Sequence, residues 1–269
     1  MFIDPFTQGW FDELNRRAQA EPPAHPAYLL LDGAFVPGLH RLLGDATKAI
    51  LFELLPGCSE EARDASPFLI PLDSLATDIR ALLKRCGGWP MVSLIETGEP
   101  LAQLAARLAS WCIVEADGQW FNFRFPDTRR LPAIFRALDE AQRAQMTGSA
   151  VSWLYTARDG NWADLDIKGR ESGIADRPTL EQTQFAQLVE DSRADEVLSL
   201  LVDRGDDPYR TPSRSHALVT LALHVAKEAM LEAYATVDWC EWFWRNDELL
   251  EQTDARVAFA RWVQISGER

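Results

Sequence analysis

The chain has few of the residues that metal and thiol chemistry draw on: four cysteines and four histidines among 269 residues. Cys58, Cys86, Cys112 and Cys240 are scattered, form no Cys-x-x-Cys pair and have no histidine at ligand spacing. That pattern argues against a disulfide framework and a zinc site, and predicts buried free thiols in a reducing compartment. Long apolar runs are missing too. The best of them, such as residues 28–31, fall far short of the roughly 20 residues of a membrane-spanning helix. Residues 1–10 carry Asp4 and Pro5 and lack the basic stretch and apolar stretch of a secretory leader. Basic charge is also in deficit, with 27 Lys and Arg against 41 Asp and Glu, a formal net charge of −14. Such a field repels nucleic acid and anionic membrane surfaces. The chain reads as a soluble cytoplasmic protein.

Catalytic signatures are equally scarce. There is no glycine-rich phosphate loop, no Gly-x-Ser-x-Gly turn and no His-Glu-x-x-His pair. His25 lies in a proline-flanked loop, and His216 and His224 are eight residues apart, too far to share a metal as an i, i+4 pair would. His224 and Glu228 are i, i+4 and read as a structural pair. No catalytic residue, cofactor or metal is predicted, and the expectation is a binding protein, not an enzyme. Asp32, at the end of a strand, could serve as a general base. Followed by Gly33, it reads better as a turn residue. Asp127 with Arg129 reads as a loop ion pair. Asp32, Gly33, Asp127 and Arg129 are therefore expected to be structural turn anchors.

What is present is ordinary globular composition, 47% hydrophobic and 25% charged. The first part alternates strand and helix signals. Residues 6–19 make an amphipathic helix with Trp10, Phe11 and Leu14 on one side. Residues 28–31, 49–55, 67–72 and 91–96 read as strands or extended segments, and residues 75–85 as a helix capped by Asp73 or Ser74. Leu101, Leu104, Ala105 and Leu108 mark one helix face. Residues 111–115 and 120–125 flank Asp117-Gly118, a strong hairpin signal. On the second strand Phe121, Phe123 and Phe125 point toward the core, and Trp120, Asn122 and Arg124 point the other way. Residues 131–138 begin a helix with Pro132 in its first turn. A further helix or turn then leads to Trp153, and residues 156–178 read as a boundary loop. Beyond it every segment looks helical, with Thr179 capping the first helix and others at 194–203, 215–232, 237–251 and 255–265. The expected fold is an α/β lobe over 1–158 (a mixed sheet with a β-hairpin and flanking helices), a connecting loop over 159–178, and an all-helical lobe over 179–269.

Ten tryptophans stand out. Trp239, Trp242 and Phe243 share a helix face, and Trp244 lies on another. Such a helix is either a buried central element or a surface awaiting a partner. Tryptophan favours interface hot spots, so these four residues are the candidate partner-binding set.

The order of several runs resembles one family. Tyr28-Leu29-Leu30-Leu31-Asp32-Gly33-Ala34 is followed by Pro67-Phe68-Leu69-Ile70-Pro71-Leu72, a helix entry at Pro100-Leu101 and a hairpin around Asp117-Gly118. The run from Trp120 through Phe123-Arg124-Phe125-Pro126-Asp127-Thr128-Arg129 to Leu131 is similar to the Phe-Arg-Phe-Tyr-Asp-Pro-Arg strand and turn of domain of unknown function 4123, with Pro126 and Thr128 replacing the usual tyrosine and proline. The stretch 148–153 fits that family's glycine-then-tryptophan ending. The resemblance implies an adaptor or chaperone of bacterial type VI secretion that binds an effector toxin and helps load it onto the VgrG spike, without cofactor or catalysis. The alternative is an immunity protein that neutralises a cognate toxin. A hydrolase built on Asp32 and Asp127 is a third, weaker reading.

Overall fold

Residues 28–31 alternate between two apolar surroundings, and that alternation organises the first unit. A computed structural model describes residues 1–19, 25–44, 48–72, 77–170, 172–174, 176–247 and 254–267. The elements run α1 (Gln8–Ala18), β1 (Ala27–Asp32), β2 (Ala49–Ile50), α2 (Glu60–Ala65), β3 (Pro67–Pro71), α3 (Thr77–Arg85), β4 (Val92–Thr97), α4 (Leu101–Ser110), β5 (Ile113–Ala116) and β6 (Gln119–Asn122). They continue with α5 (Leu131–Ala137), α6 (Glu140–Thr147), β7 (Ala150–Thr156), β8 (Trp162–Asp164), β9 (Thr179–Leu180) and α7 (Gln182–Asp191). A six-stranded sheet has the order β2-β3-β1-β4-β7-β8, with antiparallel pairing throughout. Tyr28 and Leu30 of β1, Leu69 of β3, Ile95 of β4 and Trp153 of β7 face one core, which α4, α5 and the β5–β6 hairpin cover. Leu29, Leu31, Phe68, Ile70, Val92, Leu94 and Leu154 face the opposite core, beneath α1 and α3. Both faces are buried, which is why these strands read as continuous apolar runs.

A second, smaller sheet has the order β6-β5-β9, and parallel pairing occurs there, between β5 and β9. The hairpin turn falls where expected, but its strands are Ile113–Ala116 and Gln119–Asn122, so the expected second strand over 120–125 ends at Asn122. Asp117 and Gly118 both have positive φ (52° and 71°), the backbone of a two-residue primed turn.

The chain divides into two compact units, Phe2–Leu188 and a second that begins at Val189. The second holds α8 (Arg193–Asp203), α9 (Pro212–Glu228), α10 (Ala233–Arg245) and α11 (Ala255–Gly267) around Val197, Leu201, Val219, Ala222, Trp239, Phe243 and Trp262. The fold class is thus an N-terminal sheet unit with flanking helices and a C-terminal helical unit.

Several expectations are corrected. Of residues 49–55 only Ala49–Ile50 pairs as a strand; Leu51–Leu54 is a 3-10 turn, because the Ser66 hydroxyl takes the Phe52 N–H and Leu55 N–H closes back on Phe52 O. The stretch 156–178 includes β8, and its Leu165 and Ile167 pack into the core. Thr179 does not cap a helix: with Leu180 it pairs beside Glu115 and Ala116, and α7 starts at Gln182. That pairing carries the first unit past residue 178. Cys58 is exposed, whereas Cys86, Cys112 and Cys240 are buried. Asp73 and Ser74, the expected caps of α3, and residues 248–251 of the expected 237–251 helix lie outside the described residues.

Candidate functional site

Asp32 stands far from Asp127 and Arg129 in the sequence, and the fold gathers them. β1 carries Asp32 to the sheet's end, where the carboxylate is 1% exposed. Its Oδ1 accepts from Ala34 N–H at 3.1 Å, making the expected turn, and its Oδ2 accepts from Arg124 Nη2 at 2.7 Å. Gly33 is required for closeness, not for an unusual φ: a Cβ there would lie 2.3 Å from Ser66 O. Arg124 follows β6, and Asp127 lies in the turn that leads into α5. The Asp127 carboxylate accepts from Arg129 N–H and Nε, both at 3.1 Å, and from Nη2 at 2.8 Å. Thr128 N–H donates to Pro90 O at 2.9 Å, tying the turn to the start of β4.

Aromatic rings close the cluster. The Arg124 guanidinium lies 5.3 Å from the Phe35 ring centre, and that of Arg129 lies 4.9 Å from Phe2 and 5.7 Å from Phe35. Phe2, Phe35 and Trp89 contact one another with centroids 5.5–6.0 Å apart. Phe2 and Ile3 N–H both donate to Gly88 O. Each cation–π contact is worth about 0.5–1 kcal/mol at such partly exposed positions. Burial pushes the Asp32 carboxyl above its ordinary range, the Arg124 charge and hydrogen bond pull it down, and the nearby Asp127 charge adds to the upward push. Both carboxylates are buried, and each accepts hydrogen bonds from an arginine. The four residues act together as an anchor joining the N-terminal segment, the end of β1, the turn before β4 and the turn before α5.

A second buried pair escaped the sequence reading. Arg107 and Glu99 are 2% and 5% exposed. All the Arg107 donor groups are engaged: Nε and Nη2 on Glu99, Nη1 on Gln145 O and Gly173 O, and Nη2 also on Ser172 O. The pair borders a cavity of about 550 Å³ whose rim includes Gly98, Gln103 and Ser149. Gly148 (φ +53°) passes so close that a Cβ would sit 2.4 Å from Arg107 Nε. The available signal was a cation three residues after Leu104, on the apolar side of α4.

The aromatic helix is placed differently from the partner-facing expectation. Trp239 and Phe243 are fully buried in the helical unit, with centroids 4.9 Å apart. Trp239 Nε1 donates to Ala222 O at 2.9 Å. Trp242 is half-buried and stacks on Trp239, and the half-buried Trp244 donates to Ser215 Oγ at 2.9 Å. Trp239 and Phe243 are therefore core. Of the ten tryptophans the exposed one is Trp120, at 53%. The His224–Glu228 pair forms as expected, at 3.2 Å on the surface.

Among the described residues no group of three or more His, Cys, Asp or Glu is placed to hold a metal ion, and no helix is long and apolar enough to cross a membrane. Fold and cluster together define a sheet domain pinned by a buried acid–arginine anchor and followed by a helical unit. Residues 27–145, from β1 through most of α6, match the family described as Domain of unknown function (DUF4123), so this segment is a domain of the family that the sequence resembles. No curated protein and no solved structure matches the chain.

Proposed function

We propose that this protein is a cytoplasmic adaptor that binds a type VI secretion effector and helps load it onto the VgrG spike. The observation that carries the reading is the family match over residues 27–145. It spans the Phe123–Arg129 run on which the resemblance rests most heavily. The inward-turned Asp32 and Asp127 fit a protein whose conspicuous acids serve its scaffold. Co-expression with a candidate effector encoded beside its gene tests the proposal. The expected result is a co-purifying complex, with effector solubility and secretion lost when the adaptor gene is deleted. Absence of a complex, with both properties unchanged on deletion, overturns it. Protection of cells from the toxin by this chain alone, with secretion untouched, would favour an immunity protein.

A further inference from the structure

Among the described residues, one sheet edge is left unguarded. β6 is an outer strand of the small sheet, and at four residues it is longer than β2, β8 or β9, which also lie at edges. Natural edge strands are commonly protected by charge, proline, a bulge or brevity. The sequence of β6, Gln119-Trp120-Phe121-Asn122, has neither charge nor proline. Its register is fixed by the Asp117-Gly118 turn, with Glu115 opposite Trp120 and Ile113 opposite Asn122. Phe123 N–H donates inward to Cys112 O at 2.8 Å, so Phe121 and Gln119, of the same parity, also direct their backbone groups to β5. The backbone N–H and C=O of Trp120 and Asn122 accordingly point away from the sheet, in the spacing that a further strand would take.

The side chains beside this edge describe what would fit it. Trp120 is 53% exposed, and no ring contact or hydrogen bond holds its indole among the described residues. Ile113, 40% exposed, shares its outer face. On the same face Glu115, and at the turn the exposed Asp117, have no ion-pair partner among the described residues. The edge therefore combines unpaired backbone groups, an aromatic platform and unneutralised negative charge.

We infer that the free edge of β6 is the docking site for an extended segment of the effector, added as a fourth strand, with a lysine or arginine lying across Trp120. The inference rests on the adaptor reading and deepens it. Backbone hydrogen bonds to Trp120 and Asn122 supply register, as in other strand-addition complexes. With strands about 4.8 Å apart, a long basic side chain opposite Trp120 lays its methylenes on the indole and carries its charge toward Glu115. A segment bearing aspartate or glutamate at that position would be rejected.

The test measures affinity of the full chain for the co-expressed toxin, with tiled synthetic peptides of that toxin to locate the segment. Trp120→Ala is expected to weaken binding about 30-fold, the loss typical of an interface hot spot of 2 kcal/mol. Asn122→Pro removes one outward N–H without touching the β5 ladder, and is expected to weaken binding at least about tenfold, as is Glu115→Lys. Hydrogen exchange on the unmodified chain should show the Trp120 and Asn122 amides becoming protected in the complex. If the unmodified chain binds and the three variants bind equally well with those amides unprotected, the edge is not the site and the adaptor reading survives. If the unmodified chain binds no toxin, the adaptor reading itself falls, and this inference with it.

Discussion

At the scale of single residues, the buried groups matter more than their number suggests. Arg107 is a cation inside an apolar layer, tolerable because Glu99 and three carbonyls meet its donors. Removing one partner strands the other charge. Arg107→Ala should lower unfolding free energy by about 3–5 kcal/mol, read from urea titrations. Gly148→Ala should also be strongly destabilising, since its Cβ has no room beside the guanidinium. A loss under about 1 kcal/mol for Arg107→Ala would mean that the pair is not buried as described. His40 makes a pH-dependent contribution. It is 2% exposed, and its Nε2 lies 3.9 Å from Asp64 Oδ1. Burial lowers its pKa; Asp64 opposes that shift, while Arg63, Lys48 and Arg41 reinforce it. The unfolded chain therefore binds a proton more readily than the folded one. The His40 contribution is complete above the unfolded value of about 6.5 and is lost as pH falls through the lowered folded value. A His40→Gln variant should show a smaller drop in stability than the unmodified chain between pH 7.5 and 5. Equal drops would sink the assignment.

At the scale of elements, long periodic segments were legible and short paired ones were not. α1, β1, β3, β4, α4 and the hairpin follow from apolar period and turn chemistry in the residues themselves. β2 and β9 have two residues each, so no period exists to detect, and their pairing is decided by partners distant in sequence. The anchor was half legible. Asp32-Gly33 and Asp127 with Arg129 could be recognised as turns, but their meeting through Arg124 and Phe35 is a product of topology. Tryptophan density alone pointed to α10, whereas the alternation in residues 120–125 had already set Trp120 opposite the phenylalanine face. Two element-level substitutions separate core from surface. Phe243→Ala in α10 should cost about 3–5 kcal/mol, because it empties a filled core site. Met230 ends α9 in a left-handed conformation (φ 50°) while 88% exposed, a position where glycine is usual. Met230→Gly should therefore stabilise the chain, by up to about 1 kcal/mol, measured in the same titrations.

At the scale of the whole molecule, the position of the unit boundary can be decided by cutting the chain. The sheet unit's two cores draw on residues up to Leu188, and the helical unit's core begins at Ala194. A cut between Leu188 and Val189, which removes only the last three residues of α7, should leave two fragments that each melt cooperatively. A cut at 178/179, where the sequence pattern changes from mixed to helical, should behave differently. The first fragment would lose β9, the buried Leu180 and Leu188, and Phe185, whose ring lies 4.7 Å from that of Phe121. At about 1.5–3 kcal/mol for each fully buried side chain, and less for the half-buried Phe185, that fragment should be several kcal/mol less stable than the one ending at Leu188. The complementary fragment should gain nothing from residues 179–188, since none of them enters the helical core. Circular dichroism melts of the four fragments check this. Equal stability of the two N-terminal fragments would show that β9 and α7 merely rest on the sheet unit. Failure of both C-terminal fragments to fold would show that the helical bundle needs the sheet unit despite having a core of its own.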